Sequence, residues 1–182
     1  MPTPDPETVR RRQHWHYRGQ QRPAFAIEPE PGQESVWDYP RPPRIEPDAR
    51  RVTVRAGEAL LAATESACRV LETAGPPTFY IPPEDVATDF LQEREGGSHC
   101  EWKGEAVFYD VVGGPKQAAW AYPDPYAEFA VLAGWIAFYP ARLICHVGKE
   151  RVQPQPGEYY GGWITSEIVG PFKGDPNVPD GV

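Results

Sequence analysis

Ten of the twenty-three prolines fall within the first forty-seven residues, and no other feature restricts the fold so strongly. Each proline fixes φ and removes a backbone donor, so this stretch predicts neither an ordinary sheet nor a long helix. Disordered segments are poor in aromatic residues because nothing in them is buried, yet Trp15, Tyr17, Phe25, Trp37 and Tyr39 all lie here. The expectation is an extended arm lying across the domain or a partner subunit, anchored by S-V-W-D-Y-P-R-P-P-R at 35–44.

After the arm the pattern becomes that of short strands. R-V-T-V-R and E-A-L-L-A-A-T flank Gly57 and read as a β-hairpin. C-R-V-L-E-T-A (68–74) and T-F-Y-I-P (78–82) follow, with Pro83, Glu84 and Asp85 suited to a single helical turn. E-A-V-F-Y-D-V-V and K-Q-A-A-W-A-Y, joined through G-G-P, form a second hairpin, and side-chain alternation puts Trp120 and Tyr122 on one face. Asp124 as N-cap, Pro125 at the first helical position and Gly134 as terminator predict a short helix. Strands at 135–139 and 142–147 precede a tail rich in proline and glycine. The predicted organisation is an arm over 1–47, a core domain over 48–153 and a tail over 154–182 that packs on the core.

A chain of 182 residues can bury roughly 70% of its unfolded surface and needs no disulfide staple. Cys68, Cys100 and Cys145 are odd in number and form no C-x-x-C pair, and no apolar run resembles a signal peptide or a membrane span. A cytoplasmic location without membrane association is expected. The net charge of −8 opposes a phosphate backbone. Nine arginines lie within residues 1–51, including Arg10, Arg11 and Arg12, but eight acids accompany them. That run reads as a solvated helical turn or frayed terminus, and no nucleic-acid partner is expected.

The densest chemistry lies in S-H-C-E-W-K-G-E-A-V-F-Y at 98–109. Adjacent His99 and Cys100 point to opposite faces of a strand and have no second closely spaced pair, which argues against zinc. No metal and no cofactor are expected. Cys100 as a nucleophile would need Lys103 or His99 beside it. Cys68 and Cys145, in apolar strands, read as inert core. A phosphate-binding glycine loop is missing from the sequence, and so is a complete catalytic constellation. The stretch reads as a turn around Lys103 and Gly104 that launches a strand. Trp102, Phe108, Trp120 and Tyr122 on or beside one hairpin, with Arg69 and Lys103 nearby, are what a pocket for a planar or anionic molecule needs.

V-W-D-Y-P-R-P-P, R-V-L-E-T, F-Y-I-P-P-E-D-V, S-H-C-E-W-K-G-E-A-V-F-Y, A-W-A-Y-P-D-P, I-A-F-Y-P and Y-G-G-W-I-T-S-E-I-V-G-P-F-K-G together resemble the bacterial family called domain of unknown function 427, over about residues 35–174. The family sometimes carries a nucleotidyltransferase-like label, whose chemistry these residues do not support. The resemblance implies kinship with the β-tent fold, in which two antiparallel sheets lean together over an aromatic cleft. Relatives of that fold carry C-x-x-C zinc knuckles that this sequence lacks. The family turn T-x-C-P-x-K-G is matched by Cys100, Lys103 and Gly104, with Glu101 in place of proline.

The expected protein is therefore mainly β, an antiparallel two-sheet β-tent-like domain with one or two short helices and an extended proline-rich N-terminal arm. Its expected site is a small-molecule cleft between the sheets, lined by Trp102, Trp120 and Tyr122 with Arg69 and Lys103 as polar anchors. Two alternatives stand beside it: an enzyme using Cys100, Lys103 or Glu72, and an interaction module or homo-oligomer acting through the arm.

Overall fold

The structure, a computed structural model, describes residues 1–179. It is mainly β. A seven-stranded sheet runs in the order Arg44–Asp48, Ala67–Leu71, Thr78–Ile81, Ile136–Phe138, Ala119–Ala121, Gly104–Val111 and Leu91–Cys100. A four-stranded sheet runs Glu150–Arg151, Ile144–Val147, Val52–Ala56 and Ala59–Thr64. Every pairing in both sheets is antiparallel. No helix among the described residues is long and apolar enough to cross a membrane.

Alternation along the strands decides what each face meets. Phe79, Ile81, Ala119, Ala121, Ile136 and Phe138 of the large sheet pack against Val52, Val54, Leu61 and Cys145 of the small one. The intervening residues Tyr80, Trp120 and Ala137 belong to a second cluster on the opposite face, with Cys68, Val70, Tyr122, Phe129 and Leu132. The alanines flanking Trp120 let the two sheets approach, and Trp163, fully buried, fills the space between them. Its indole stacks on Phe79 at 4.9 Å between ring centroids and donates to the Phe138 carbonyl at 3.0 Å.

Both hairpins occur where the sequence predicts them. Val52–Ala56 pairs with Ala59–Thr64 around Gly57 at φ +56°, and Phe108 stands opposite Trp120 in the second. Three expectations need correction. Arg44–Asp48, read as the end of a proline-rich arm that forms no ordinary sheet, is instead the edge strand of the large sheet, where Pro47 is tolerated because an edge strand has an unpaired side. The predicted helix after Asp124 is instead a pair of 3₁₀ turns over Ala127–Leu132, broken at Phe129 and preceded by Tyr126, whose extended backbone donates to the Lys103 carbonyl at 3.2 Å rather than starting a helix at Asp124. The strand Leu91–Cys100, polar between its two end residues and crossing Gly96 and Gly97 with a register shift, shows no apolar alternation to announce it. Ser98, His99 and Cys100 end that strand, and the turn proper is Glu101–Lys103.

The arm docks on its own domain. It opens with a helix, Pro6–Gln13, capped by Asp5 accepting from the Thr8 amide at 2.8 Å, with Glu7 in the first turn and three arginines in the last. This order of charge suits the helix dipole. Arg12 is not solvated as the sequence suggested: its guanidinium lies over Trp102 and Tyr126 and donates to the Glu101 carbonyl at 2.7 Å. Further on, Trp37 is fully buried, flanked edge-on by Tyr17 and Phe25, and donates to the Pro171 carbonyl. Glu34–Ser35 pairs in parallel with Ile168–Val169, which ties arm to tail.

Replacing Trp163 by alanine empties the space between the sheets and should cost about 3–5 kcal/mol. Urea unfolding monitored by circular dichroism measures it, and a loss below about 1 kcal/mol would contradict this packing.

Candidate functional site

The face of the large sheet turned away from the small one holds a cleft, so the cavity is not between the two sheets as expected. The inter-sheet space is filled by Trp163 and its neighbours. On the outer face Trp120 is the central wall. Its indole donates to the Tyr80 hydroxyl at 3.3 Å and lies against the Tyr139 ring at 4.4 Å between centroids. Tyr122, two residues along the same chain, faces Tyr80 at 6.4 Å, so the shared face read from the sequence is where the structure puts both.

These rings line a cavity of about 180 Å³ that also meets Phe108, Cys100 and Lys103. A second cavity of about 120 Å³ adjoins it and shares Glu72, Thr78, Lys103, Tyr160 and Gly161 as a common wall. Its own lining adds Thr73, Gln155 and Lys173. The cleft thus has an aromatic end and a polar end.

Lys103 stands at the junction. Only 7% of the residue is exposed, and its ammonium lies 5.6 Å from the Tyr122 ring centroid and 5.7 Å from that of Phe129. Among the described residues no carboxylate comes within ion-pair distance of it. Burial opposes its charge, but Cys100, Tyr80 and Glu72 outweigh that cost and hold its pKa above the ordinary lysine value. Glu72 itself is engaged by Arg41, whose Nε lies 3.3 Å away. Lys173, brought in by the tail, places its ammonium 4.4 Å from the Trp15 ring and 5.5 Å from that of Tyr160. Burial first, and Arg41 nearby, pull its pKa below the ordinary value against the pull of Glu72.

Of the five residues expected at the site, Lys103, Trp120 and Tyr122 come together. Trp102 and Arg69 do not line the cleft. Trp102 is buried in the same apolar cluster but lies beneath Arg12, with its indole nitrogen unpartnered among the described residues. Arg69 points the other way along its strand, into a set of acids: Glu34 at 3.1 Å, Glu46 at 3.0 Å and Asp48 at 3.5 Å. Val70, next to it, faces the polar cavity, and the period of two excludes both from one face.

Among the lining residues the sequence did not disclose are Tyr80, Tyr139, Tyr160, Gly161 and Lys173. Alternation in T-F-Y-I could have placed Tyr80 opposite Phe79 and Ile81, but nothing local tells that the tail returns to this face. Gly161 packs its backbone against the Trp120 ring, where a Cβ would overlap the indole.

Of the cysteines, Cys100 is half-buried and lines the aromatic cavity, interacting with the Lys103 ammonium and the Tyr122 hydroxyl. Burial raises the thiol pKa of Cys68 and Cys145. Near the arm, Thr8 Oγ1 lies 3.2 Å from His99 Nε2, and His99 Nδ1 lies 2.6 Å from Glu105. This resembles a hydroxyl, imidazole and carboxylate relay, but Thr8 is 4% exposed and offers no approach for a carbonyl. Among the described residues no group of three or more His, Cys, Asp or Glu side chains is placed to hold a metal ion.

Two outcomes are expected. Gly161→Ala should displace the Trp120 indole at a cost of roughly 1–3 kcal/mol; an unchanged tryptophan emission spectrum and unchanged melting temperature would refute the contact. Burial pushes the Tyr139 hydroxyl up to about 12 and raises Tyr80 and Tyr122 as well. The unfolded chain therefore releases these protons first, near the ordinary value of about 10. Their stabilisation is complete below that pH and is lost as the pH rises toward 12. Urea midpoints measured from pH 8 to 11.5 should fall above pH 10, and a flat profile would contradict the assignment.

A search of curated proteins finds no match to the chain. The family model described as Domain of unknown function (DUF427) matches residues 44–149, a span that runs from the first strand of the large sheet through Lys103, Trp120 and Tyr139. With more than half its length so matched, the chain belongs to the DUF427 family.

Proposed function

We propose that the cleft is a binding site for a small planar molecule, held by its faces against Trp120, Tyr80 and Tyr122 and oriented by Lys103. One observation carries this reading: a nearly buried ammonium without a carboxylate partner among the described residues, opening on a cavity walled by aromatic rings. A buried charge is costly unless it is paired, and cation–π contacts with Tyr122 and Phe129 offset only about 0.5–2 kcal/mol each. A ligand carrying an acceptor would supply the missing partner. The surrounding rings would add stacking of about 0.5–1.5 kcal/mol per aromatic pair beyond burial, so several contacts acting together are needed for useful affinity. Apolar walls with a few convergent polar groups are the usual build of such sites. The free thiols of Cys68, Cys100 and Cys145 suit a reducing compartment, and the cytoplasm is the proposed place of action.

Thermal-shift measurements over nucleosides, purines and small aromatic acids test the proposal. At least one compound should raise the melting temperature, and Trp120→Ala should abolish that rise while the far-ultraviolet circular dichroism stays native. A Trp120→Ala variant that retains the full shift would sink the reading.

A further inference from the structure

The polar end of the cleft narrows the ligand class, and this step rests on the binding reading above. The smaller cavity is lined by Glu72, Thr73, Thr78, Gln155, Lys103 and Lys173, and several of these polar groups are already engaged. The Thr73 hydroxyl donates to the Tyr39 carbonyl. The Gln155 amide donates to the Lys173 carbonyl at 2.8 Å and accepts from the Gly162 amide at 3.1 Å. Glu72 faces Arg41. The groups left over are the two ammonium groups and the Thr78 hydroxyl: Lys103 meets the Cys100 thiol, but neither ammonium has a carboxylate at ion-pair distance among the described residues. An ammonium only donates, and a hydroxyl donates as readily as it accepts. The remaining capacity of this end is therefore weighted toward donors carrying positive charge.

We propose that this end is a carboxylate subsite in which Lys103 and Lys173 together hold one anionic group, so that the ligand of the cleft is a small aromatic carboxylic acid with its ring against Trp120. Both ammonium groups line this cavity, and Glu72, the one acid among the lining residues, already lies against Arg41. A partnering carboxylate also offsets, by charge pairing, the desolvation that depresses the Lys173 pKa. Lys173 thereby becomes a ligand-binding residue supplied from outside the residues that the family match covers.

The full chain is titrated calorimetrically with 2-naphthoate, 2-naphthamide and 2-naphthyl phosphate, which share a ring system and differ in the anionic group. Naphthoate should bind about tenfold or more tightly than the uncharged amide, as expected for charge-assisted hydrogen bonds. Lys173→Met should bring that ratio to within about twofold by weakening the acid more than the amide, and Lys173→Arg should restore most of it. Trp120→Ala should weaken acid and amide together. Equal binding of acid and amide by the native protein overturns the subsite and leaves the aromatic reading standing. Tightest binding by the phosphate overturns the carboxylate assignment. Failure of all three to bind removes the subsite together with the reading beneath it. The comparison of the three compounds on the unmodified chain needs no variant to fold.

Discussion

A seven-stranded sheet with apolar side chains on both faces must cover both, and the second sheet can cover only one. That constraint organises the molecule. The inner face closes on Val52, Val54 and Leu61 of the small sheet with Trp163 between the layers. The outer face has no second sheet, so the turns over Ala127–Leu132 and irregular chain from both ends supply the cover. The arm contributes Trp15 and the helix carrying Arg12, and the tail contributes Tyr160, Gly161 and Lys173. A cover made of proline-rich segments cannot interdigitate as evenly as a strand layer, and the cleft lies where these segments meet the sheet.

The same geometry accounts for the density of cations over aromatic rings. Arg41 lies 3.8 Å from the Trp15 ring centroid on the way to Glu72, and Lys173 lies 4.4 Å from the same ring. Arg12 bridges Trp102 and Tyr126. Long basic side chains can cover apolar surface with their stems while their heads meet ring faces or carbonyls. Arg41, 4% exposed, also donates to the carbonyls of Tyr17 and Thr73, so one guanidinium fastens the arm to the sheet at several points. Arginine suits this role because its fork of donors serves several acceptors at once.

What could be read from the sequence was what is local. Alternation placed Trp120 and Tyr122 on a common face and set the two hairpins, since a period of two acts over neighbouring residues. The aromatic content of the arm distinguished a docked segment from a linker. What could not be read was orientation between elements. Arg69 and Lys103 look equivalent as cations beside aromatics, and only the register Arg69 opposite Phe79, Cys68 opposite Tyr80 sends Arg69 away from the tyrosine face. Trp102 looks like a wall but is roofed by Arg12, ninety residues earlier. The strand Leu91–Cys100 has no apolar stripe because it is the outermost strand of the sheet, with mostly exposed side chains. Lys173 and Tyr160 reach the cleft through long-range packing that no local pattern records.

The ladder between Glu34–Ser35 and Ile168–Val169 has a consequence for the order in which the molecule can be made. During synthesis the arm leaves the ribosome before the tail, and its bonds from Trp37 to Pro171, Gln33 to Ser166 and Ile27 to Gly170 wait for a segment made more than a hundred residues later. Contacts of such separation carry the largest loop-closure cost and form late. Until residue 173 has emerged, a nascent chain holds the outer sheet face with Trp120 and Tyr80 uncovered. That interval is when this protein most resembles an exposed, self-associating sheet, and when a chaperone would find it.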